Sequence, residues 1–461
     1  MLKGILLKAH PTPKQKEILS QWMGCARYIW NAKCEEDEYL CRFSRRYLPI
    51  KTYPTINQKY AQYKSRALSP WLFDCPSQVL RNSASNWFET YRNFLQGRCG
   101  KPKRKRKGDT ESVCLTRELF NFEKGEDGVI RLRLGTKKRN LGYLSIKNHK
   151  KYAEPNSIYI KKCHGQYTVS FCYDVPMRNL KEASKEDLDY LRNTEQKTLE
   201  DWTIGIDRGV ARPVQAGDKV FDFSEDQKKK KKIKERHIRR SQKRLFKQKK
   251  GSKRRQKTKK RISRAHKKIA NIRKDFCHKT SREIIDDDKT KVIVLEDLNI
   301  AKMTNSKKTF NTKRSRTRKT RATLNRSILD KGWHQLESFL IYKAQEKGKL
   351  VFKVSAYHTS QECADCGHTH PSNRKTQERF HCACCGHSDN ADRNAAKVIK
   401  KRAINLLLDS GTELSKRGVL LDSGRGAANQ TSEAIATAAR SKEASKKKDK
   451  AVKAESGSSS L

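Results

Sequence analysis

Two Cys-x₂-Cys pairs, separated by 15 residues, constrain the fold of this chain more tightly than any other feature of its sequence. Cys363 pairs with Cys366, and Cys382 pairs with Cys385. A Gly-His dipeptide follows each pair, and such a glycine allows the tight turn in which backbone amides approach thiolate sulfurs. Four thiolates bind zinc as a closed tetrahedral site without a position for water. We therefore predict a zinc ribbon over residues 356–390 with one structural zinc ion.

The other cysteines and two histidines leave alternatives open. Cys384 lies outside the register of its pair and is predicted to be the spare thiol. His381 or His387 replacing one thiolate is an alternative, and a redox dithiol pair is another. The nine cysteines outside the cluster are scattered singly, and in a reducing compartment we expect them to be small core residues.

The net charge indicates the partner. The chain carries 105 Lys and Arg against 50 Asp and Glu, a formal net charge of +55 over 461 residues. Such a surface repels itself and is tolerated most easily when a polyanion neutralises it. No apolar run approaches the ~18 residues of a membrane-spanning helix, and the apolar stretch in residues 1–10 is too short for a signal peptide. We expect a cytoplasmic protein that binds DNA, RNA or both, and that is nucleoid-associated when bound to DNA.

The first half of the chain alternates between strand and helix patterns. Residues 1–10 are predicted to form a strand and residues 11–95 a helical block. Short alternating runs between residues 112 and 175, separated by turn residues, indicate a small antiparallel barrel or sandwich. Four aromatic residues of the helical block are expected in its core, with stacking on exposed bases as the alternative: Trp22, Trp30, Trp87 and Tyr91.

After a predicted polar linker at 178–200, the pattern becomes that of an α/β domain. Residues 201–355 and 391–408 have the order of three strands, a long helical stretch, a strand, a helix, a strand and a final helix. This is the order of an RNase H-like domain, into which the cysteine-rich residues 356–390 are inserted. Residues 409–461 are rich in Ala, Ser and Lys, lack a core-forming pattern and are predicted to be disordered.

Three acids occupy corresponding positions in this order. Asp207 ends the first strand of the domain, Glu296 ends the central strand, and Asp392 begins the last helix. An RNase H-like fold brings these positions to one end of its sheet, where two Mg²⁺ ions about 3.5–4 Å apart act on one phosphodiester. Each carboxylate alone is more often a capping or turn residue. Their occurrence together in this order favours a nuclease site.

The basic residues are concentrated in the same half of the chain. Residues 227–286 are predicted to be helical, and residues 227–274 hold 26 Lys and Arg against one acid, Glu235. Apolar residues from Ile262 to Phe276 mark one packed seam, which leaves the other faces to contact phosphates. Residues 302–326 add ten basic residues and no acid, and a loop is predicted there. The expected nucleic-acid contacts are Arg239, Arg240, Lys243, Arg244, Lys247, Arg254, Arg255, Lys259 and Lys260.

Five motifs together resemble the TnpB family, transposon-encoded relatives of type V CRISPR effectors, up to about residue 405. One departure precedes Asp392, where the family often has His-Asp-Arg and this chain has Asp389, Asn390 and Ala391. The tail after residue 410 is also unmatched. The motifs are AHPTPKQ at 9–15, GIDRG at 205–209, LEDLN at 295–299, TSQECADCG at 359–367 and ADRNAA at 391–396.

The resemblance implies a wedge-like β-barrel formed by 1–10 and 96–177, interrupted by a helical recognition block at 11–95. A RuvC-type nuclease domain with the zinc ribbon would follow. It implies a monomeric protein in a ribonucleoprotein, whose guide RNA comes from the transposon end and directs cleavage of double-stranded DNA beside a short target-adjacent motif. The implied ligands are zinc for the four paired cysteines, and two Mg²⁺ or Mn²⁺ ions for Asp207, Glu296 and Asp392.

The hypothesis is therefore an RNA-guided endonuclease of an insertion sequence. The alternatives are a nuclease-inactive guided repressor, an accessory DNA- or RNA-binding protein of transposition, and a general RNA-binding or ribosome-associated protein.

Overall fold

The chain folds into two units in the computed structural model. Unit 1 comprises Met1–Arg178 and Arg240–Arg264, and unit 2 comprises Asn179–Arg239 and Ala265–Leu461. Among the described residues, no helix combines the length and the apolar character that crossing a membrane requires. The structure describes residues 2–47, 57–108, 110–124, 130–136, 139–147, 152–163, 165–174, 185–304, 315–376, 378–415 and 418–422.

Unit 1 contains a seven-stranded antiparallel sheet. Its strands are β1 (Leu2–His10), β2 (Thr110–Thr116), β3 (Phe120–Lys124), β4 (Ile130–Thr136), β5 (Arg139–Lys147), β6 (Ser157–Cys163) and β7 (Gln166–Asp174), in the order β2-β6-β7-β1-β5-β4-β3. The first strand is thus central, and it buries Ile5, Leu7 and Ala9 because alternate residues of a strand face the same side. The predicted antiparallel sheet is confirmed, whereas its closure into a barrel stays a prediction.

The helical block is inserted between β1 and β2. Its long helices are α1 (Pro13–Tyr39) and α2 (Ser77–Leu95). Thr12 and Gln15 form a capping box at the start of α1, and the side-chain amide of Gln15 also donates to the Leu141 carbonyl at 3.1 Å, which ties the helix to β5. Shorter helical segments span Leu40–Ser44, Arg45–Tyr47, Ala61–Tyr63 and Pro70–Asp74, and a further one, Arg117–Leu119, follows β2.

The predicted aromatic core of this block is confirmed. Trp22 and Trp87 are essentially inaccessible, and Trp30 and Tyr91 are also buried. The rings of Trp87 and Tyr91 stack with centroids 5.1 Å apart. These four side chains are therefore packed against protein, which excludes the base-stacking alternative for this arrangement.

Unit 2 is built on a five-stranded mixed sheet. Its strands are β8 (Thr203–Asp207), β9 (Val214–Ala216), β10 (Lys219–Phe221), β11 (Val292–Glu296) and β12 (Leu350–Val354), in the order β10-β9-β8-β11-β12. β8, β11 and β12 are parallel to one another, whereas β9 pairs antiparallel with β8 and β10 pairs antiparallel with β9. The residues of β11 alternate between two cores: Ile293 and Leu295 face one, and Val292 and Val294 face the other. A strand covered on both faces reads as a continuous apolar run, which explains its VIVLE sequence.

The helices of the C-terminal half follow the predicted order with one break. A turn at 248–252 divides the predicted helical stretch, and Gly251 adopts a left-handed conformation there (φ 86°). The helices are α3 (Lys185–Arg192), α4 (Gln196–Trp202), α5 (Glu225–Lys247), α6 (Lys253–Asp286), α7 (Ser315–Lys331), α8 (Trp333–Glu346) and α9 (Ala391–Leu408), with short segments at Ile300–Met303 and Pro371–Asn373.

Three predictions of irregular structure were wrong where the structure describes the residues. The predicted linker at 178–200 contains α3 and most of α4, because Leu188, Leu191 and Leu199 are buried in a core with α9. The predicted loop at 302–326 is helical from residue 315, and residues 305–314 lie outside the described part. The predicted disordered tail begins with the hairpin of β15 (Thr412–Leu414) and β16 (Leu420–Asp422), which buries Leu420, and its residues 423–461 are not described.

Candidate active site

Two of the predicted acids end neighbouring parallel strands. Asp207 is the last residue of β8 and Glu296 the last of β11, one position beyond the paired residues Ile206 and Leu295. Since adjacent strands lie about 4.8 Å apart, this register brings both carboxylates to the same edge of the sheet. Glu296 is buried and Asp207 is half-buried.

The third acid reaches this edge from α9. Asp392 is the second residue of that helix, and the Asn390 side chain caps the helix by accepting from the Asp392 amide at 3.1 Å. The helix lies directly on β8 at Gly205, where an added Cβ atom would lie 2.1 Å from the Ala396 carbonyl oxygen. A glycine is therefore required for the contact that sets Asp392 beside the strand ending in Asp207.

The three carboxyl groups influence one another electrostatically. Burial, with the negative charges of Glu296 and Asp392, raises the pKa of Asp207 to about 7. Burial also raises the pKa of Glu296 and the pKa of Asp392. Negative charge is thus concentrated and incompletely compensated here, which is the environment that a bound divalent cation would relieve. The donor set of carboxylate oxygens also suits a hard divalent cation.

The spacing of these acids differs from that of the cysteines. Among the described residues, the paired cysteines are the only group of three or more His, Cys, Asp or Glu residues whose ligand atoms all lie within 4.8 Å of one another. The three carboxylates are therefore more widely spread than a closed single-ion site. Ligands distributed around two ions that are themselves about 3.5–4 Å apart need not converge on one point.

Two arginines lie beside the acids and were not predicted from the sequence. An Arg374 guanidinium nitrogen lies 3.5 Å from a carboxylate oxygen of Asp392. Arg208 is buried, pairs with Glu337 at 2.8 Å and donates to the backbone carbonyl of Glu296, so it ties the end of β8 to the end of β11. The position of Arg208 directly after a strand-ending acid was the available signal. No comparable pattern marks Arg374.

The predicted cysteine cluster is brought together by the fold. Its four sulfur atoms all lie within 4.8 Å of one another, with Cys363 3.6 Å from Cys385 and Cys366 3.6 Å from Cys382. Backbone amides, that of Cys385 foremost, lower the pKa of the Cys382 thiol to about 7, whereas burial raises the pKa of the Cys363 thiol. The arrangement can hold one tetrahedral ion.

Two similar turns present these thiols. Gly367 and Gly386 both have left-handed backbones, with φ of 76° and 73°. Their amides donate to the carbonyls of Cys363 and Cys382, at 3.0 and 3.1 Å. Asn373, which is fully buried, links the turns because its side chain donates to the His368 carbonyl and accepts from the Ala383 amide. The short strands β13 (Arg379–His381) and β14 (Ser388–Asn390) flank the second turn.

The residues left as alternatives do not belong to the group of four sulfur atoms. Cys384 is exposed and outside the group of four, as predicted for a spare thiol. His381 is exposed. The His387 ring lies 2.7 Å from the Asp365 carboxylate, outside the four-sulfur group.

The predicted nucleic-acid contacts lie on α5 and α6. Eight of the nine side chains are exposed. Arg255 is half-buried instead, and it donates to the carbonyls of Leu245 and Gln248 at the end of α5. Its guanidinium therefore closes the turn between the two helices, a role that the charge pattern did not reveal.

Family models match three parts of the chain. Residues 170–307 match the family described as "Probable transposase", and residues 333–399 match the "Cas12f1-like, TNB domain". Residues 1–33 match a model described as "Helix-turn-helix domain", although in the structure they form β1 and most of α1.

Three relatives extend these matches, two of them over most of their length. "Putative RNA-guided DNA endonuclease InsQ" of Escherichia coli is 27% identical over 94% of this chain and 98% of its own. A "Putative RNA-guided DNA endonuclease" of Streptomyces pristinaespiralis is 23% identical over 85% of this chain and 86% of its own. "CRISPR-associated endodeoxyribonuclease Cas12f1" of Sulfoacidibacillus thermotolerans is 31% identical over 30% of this chain and 29% of its own.

The fold is similar to that of a Cas12f1 protein. The protein in a Cas12f1–sgRNA–target DNA complex superimposes with a TM-score of 0.52 at 13% identity, covering 87% of this chain and 98% of that chain. The family models and the full-length relatives agree with the resemblance of the five motifs to the TnpB family.

Proposed function

We propose that this protein is an RNA-guided endonuclease of double-stranded DNA, encoded by an insertion sequence. The observation that carries the proposal is that Asp207, Glu296 and Asp392 lie at one edge of the sheet. They are close enough for the charges of Glu296 and Asp392 to raise the pKa of Asp207. The names of the full-length relatives, both given as RNA-guided DNA endonucleases, support the same activity.

The three acids are proposed to hold two Mg²⁺ or Mn²⁺ ions within an RNase H-like, RuvC-type domain. When bound, such ions supply Lewis acidity and lower the pKa of water at the scissile phosphodiester. The chain would contribute the carboxylates of Asp207 and Glu296, which end two strands, and that of Asp392, which begins a helix. Arg374, beside Asp392, offers a guanidinium that can form hydrogen bonds with phosphate oxygens.

The remaining parts are assigned by their chemistry. The four paired cysteines are proposed to bind one structural zinc ion as an inserted zinc ribbon, since thiolates select zinc. The exposed basic residues of α5 and α6 are proposed to bind backbone phosphates of a guide RNA from the transposon end or of target DNA. Base pairing by the guide would supply most specificity, while the protein reads a short flanking motif. We propose a monomeric protein in a ribonucleoprotein that is nucleoid-associated when bound to DNA.

A matched pair of variants tests the nuclease site. Asp207→Asn preserves shape but removes the charge, so it should abolish Mg²⁺-dependent cleavage by the guide RNA complex while target binding persists. Asp201→Asn is the control, because this exposed aspartate lies in α4, away from the sheet edge. Cleavage of a matched target and gel-shift binding are measured for both. Cutting by Asp207→Asn at the wild-type rate would remove Asp207 from the site, and a wild-type complex that binds without cutting would favour the guided repressor.

A further inference from the structure

A turn between β12 and the first cysteine delivers a hydroxyl group to the nuclease site. Thr359 is buried, and its hydroxyl donates to Oε1 of Glu296 at 2.5 Å. Among the residues that the structure describes, the only other acceptor within hydrogen-bond distance is the Ala356 carbonyl at 3.4 Å, so the shorter bond to the carboxylate is favoured. The two residues are 63 positions apart in the chain.

The position of Thr359 is fixed from two sides. His358 has a positive φ of 56°, which a non-glycine residue adopts at a cost, and its carbonyl accepts from the amides of Gln361 and Glu362 at 2.9 and 3.1 Å. Arg402 of α9 donates to two carbonyls at the start of this turn, those of Ser355 at 3.0 Å and Tyr357 at 2.8 Å.

The helix that carries Asp392 holds the end of the turn as well. Arg402 forms an ion pair with Glu362. The buried Asn394 donates to the Glu362 carbonyl at 2.7 Å and accepts from the Ala364 amide at 3.0 Å, next to the first cysteine. One helix therefore supports the Asp392 carboxylate and the segment that contacts Glu296.

We propose that Thr359 is a positioning residue that holds one carboxylate oxygen of Glu296 and leaves the other directed toward a divalent cation. This inference rests on the proposed function. A glutamate has three side-chain torsions, and ligands must be held within about 0.5 Å of the productive geometry for efficient catalysis. Hydrogen bonds from neighbouring residues orient a ligating carboxylate, and losing one costs about 10–100-fold in metal affinity or activity.

Thr359→Val tests the hydroxyl at nearly constant shape, and Thr359→Ser restores it. The matched control is Thr203→Val, because Thr203 is also buried in unit 2 and its hydroxyl has no hydrogen-bond partner among the residues that the structure describes. Binding of Mn²⁺ to the full-length chain is measured by electron paramagnetic resonance, with Asp207→Asn giving the background. Cleavage by the guide RNA complex is measured as a function of Mg²⁺ concentration.

Thr359→Val should weaken Mn²⁺ binding about 10–100-fold and shift the Mg²⁺ dependence of cleavage to higher concentrations. Thr359→Ser should recover most of both, and Thr203→Val should behave as wild type. Zinc content checks that the cysteine insert remains folded, and Thr359→Ala replaces the valine variant if zinc is lost. Unchanged Mn²⁺ binding in the variant lacking the hydroxyl would overturn the inference alone. A wild-type chain that neither binds Mn²⁺ nor cuts would overturn the proposed function instead.

Discussion

Replacing Gly205 by alanine should separate the helix bearing Asp392 from the strand bearing Asp207. The added Cβ would lie 2.1 Å from the Ala396 carbonyl oxygen and 2.8 Å from the Lys400 nitrogen, whereas real Cβ contacts essentially never fall under 3.0 Å. Both neighbours are backbone atoms, so α9 must retreat by about 1 Å. Overpacking of this kind costs about 1–3 kcal/mol, and a 1 Å misplacement of a reacting group costs about 100-fold in rate.

The assay compares Gly205→Ala with Gly4→Ala, a strand glycine of β1 whose added Cβ would meet nothing within 4 Å. Guided cleavage by Gly205→Ala should fall about 100-fold. Its melting transition should drop by roughly 2–12 °C, since each kcal/mol shifts Tm about 2–4 °C in a unit of this size. Guide RNA binding should persist, and Gly4→Ala should match wild type. A Gly205→Ala protein that melts and cuts normally would refute the claim that this contact sets the site.

Two further predictions concern protonation and zinc. In the metal-free protein, the pKa of Asp207 near 7 exceeds the unfolded value of about 4, so the stability it contributes is present below about pH 4 and lost as the pH rises through about 7. The Tm of Asp207→Asn should therefore decline less over that range, and equal declines would contradict the shift. Cys363→Ser should lose zinc and lower the Tm, whereas Cys384→Ser should keep wild-type zinc content by elemental analysis. Equal loss in both would exclude the proposed ligand set.

The sequence was most informative where one local pattern fixed the outcome. Ligand spacing alone identified the cysteine cluster. The acid positions followed from apolar strands ending in Asp207 and Glu296, and from a helix beginning near Asp392, because parallel strands end at one edge of a sheet. These predictions needed only local periodicity and the order of the elements.

Contacts between distant segments could not be obtained in this way. Thr359 and Glu296 belong to segments without a shared periodicity, so their hydrogen bond depends on the folded turn. The first glycine of GIDRG, Gly205, has the pattern of an ordinary strand residue, and its role depends on the helix backbone packed against it. The sequence of helix α3 predicts a linker because its polar residues outnumber Leu188 and Leu191, which are buried in a core that α9 shares.

The division of the chain has a consequence for its dissection. The polypeptide passes between the units three times, after Arg178, Arg239 and Arg264. A fragment ending at Arg178 would lack residues 240–264 of unit 1, while the complementary fragment would carry them without the sheet that belongs to the same unit. Each unit therefore consists of two separate stretches of the chain, and no single contiguous fragment contains a whole unit without part of the other. Exchanging one unit with a related protein would require both of its stretches to be transferred together. Two of the new junctions would fall inside α5 and inside α6, because two of the unit boundaries lie within these helices.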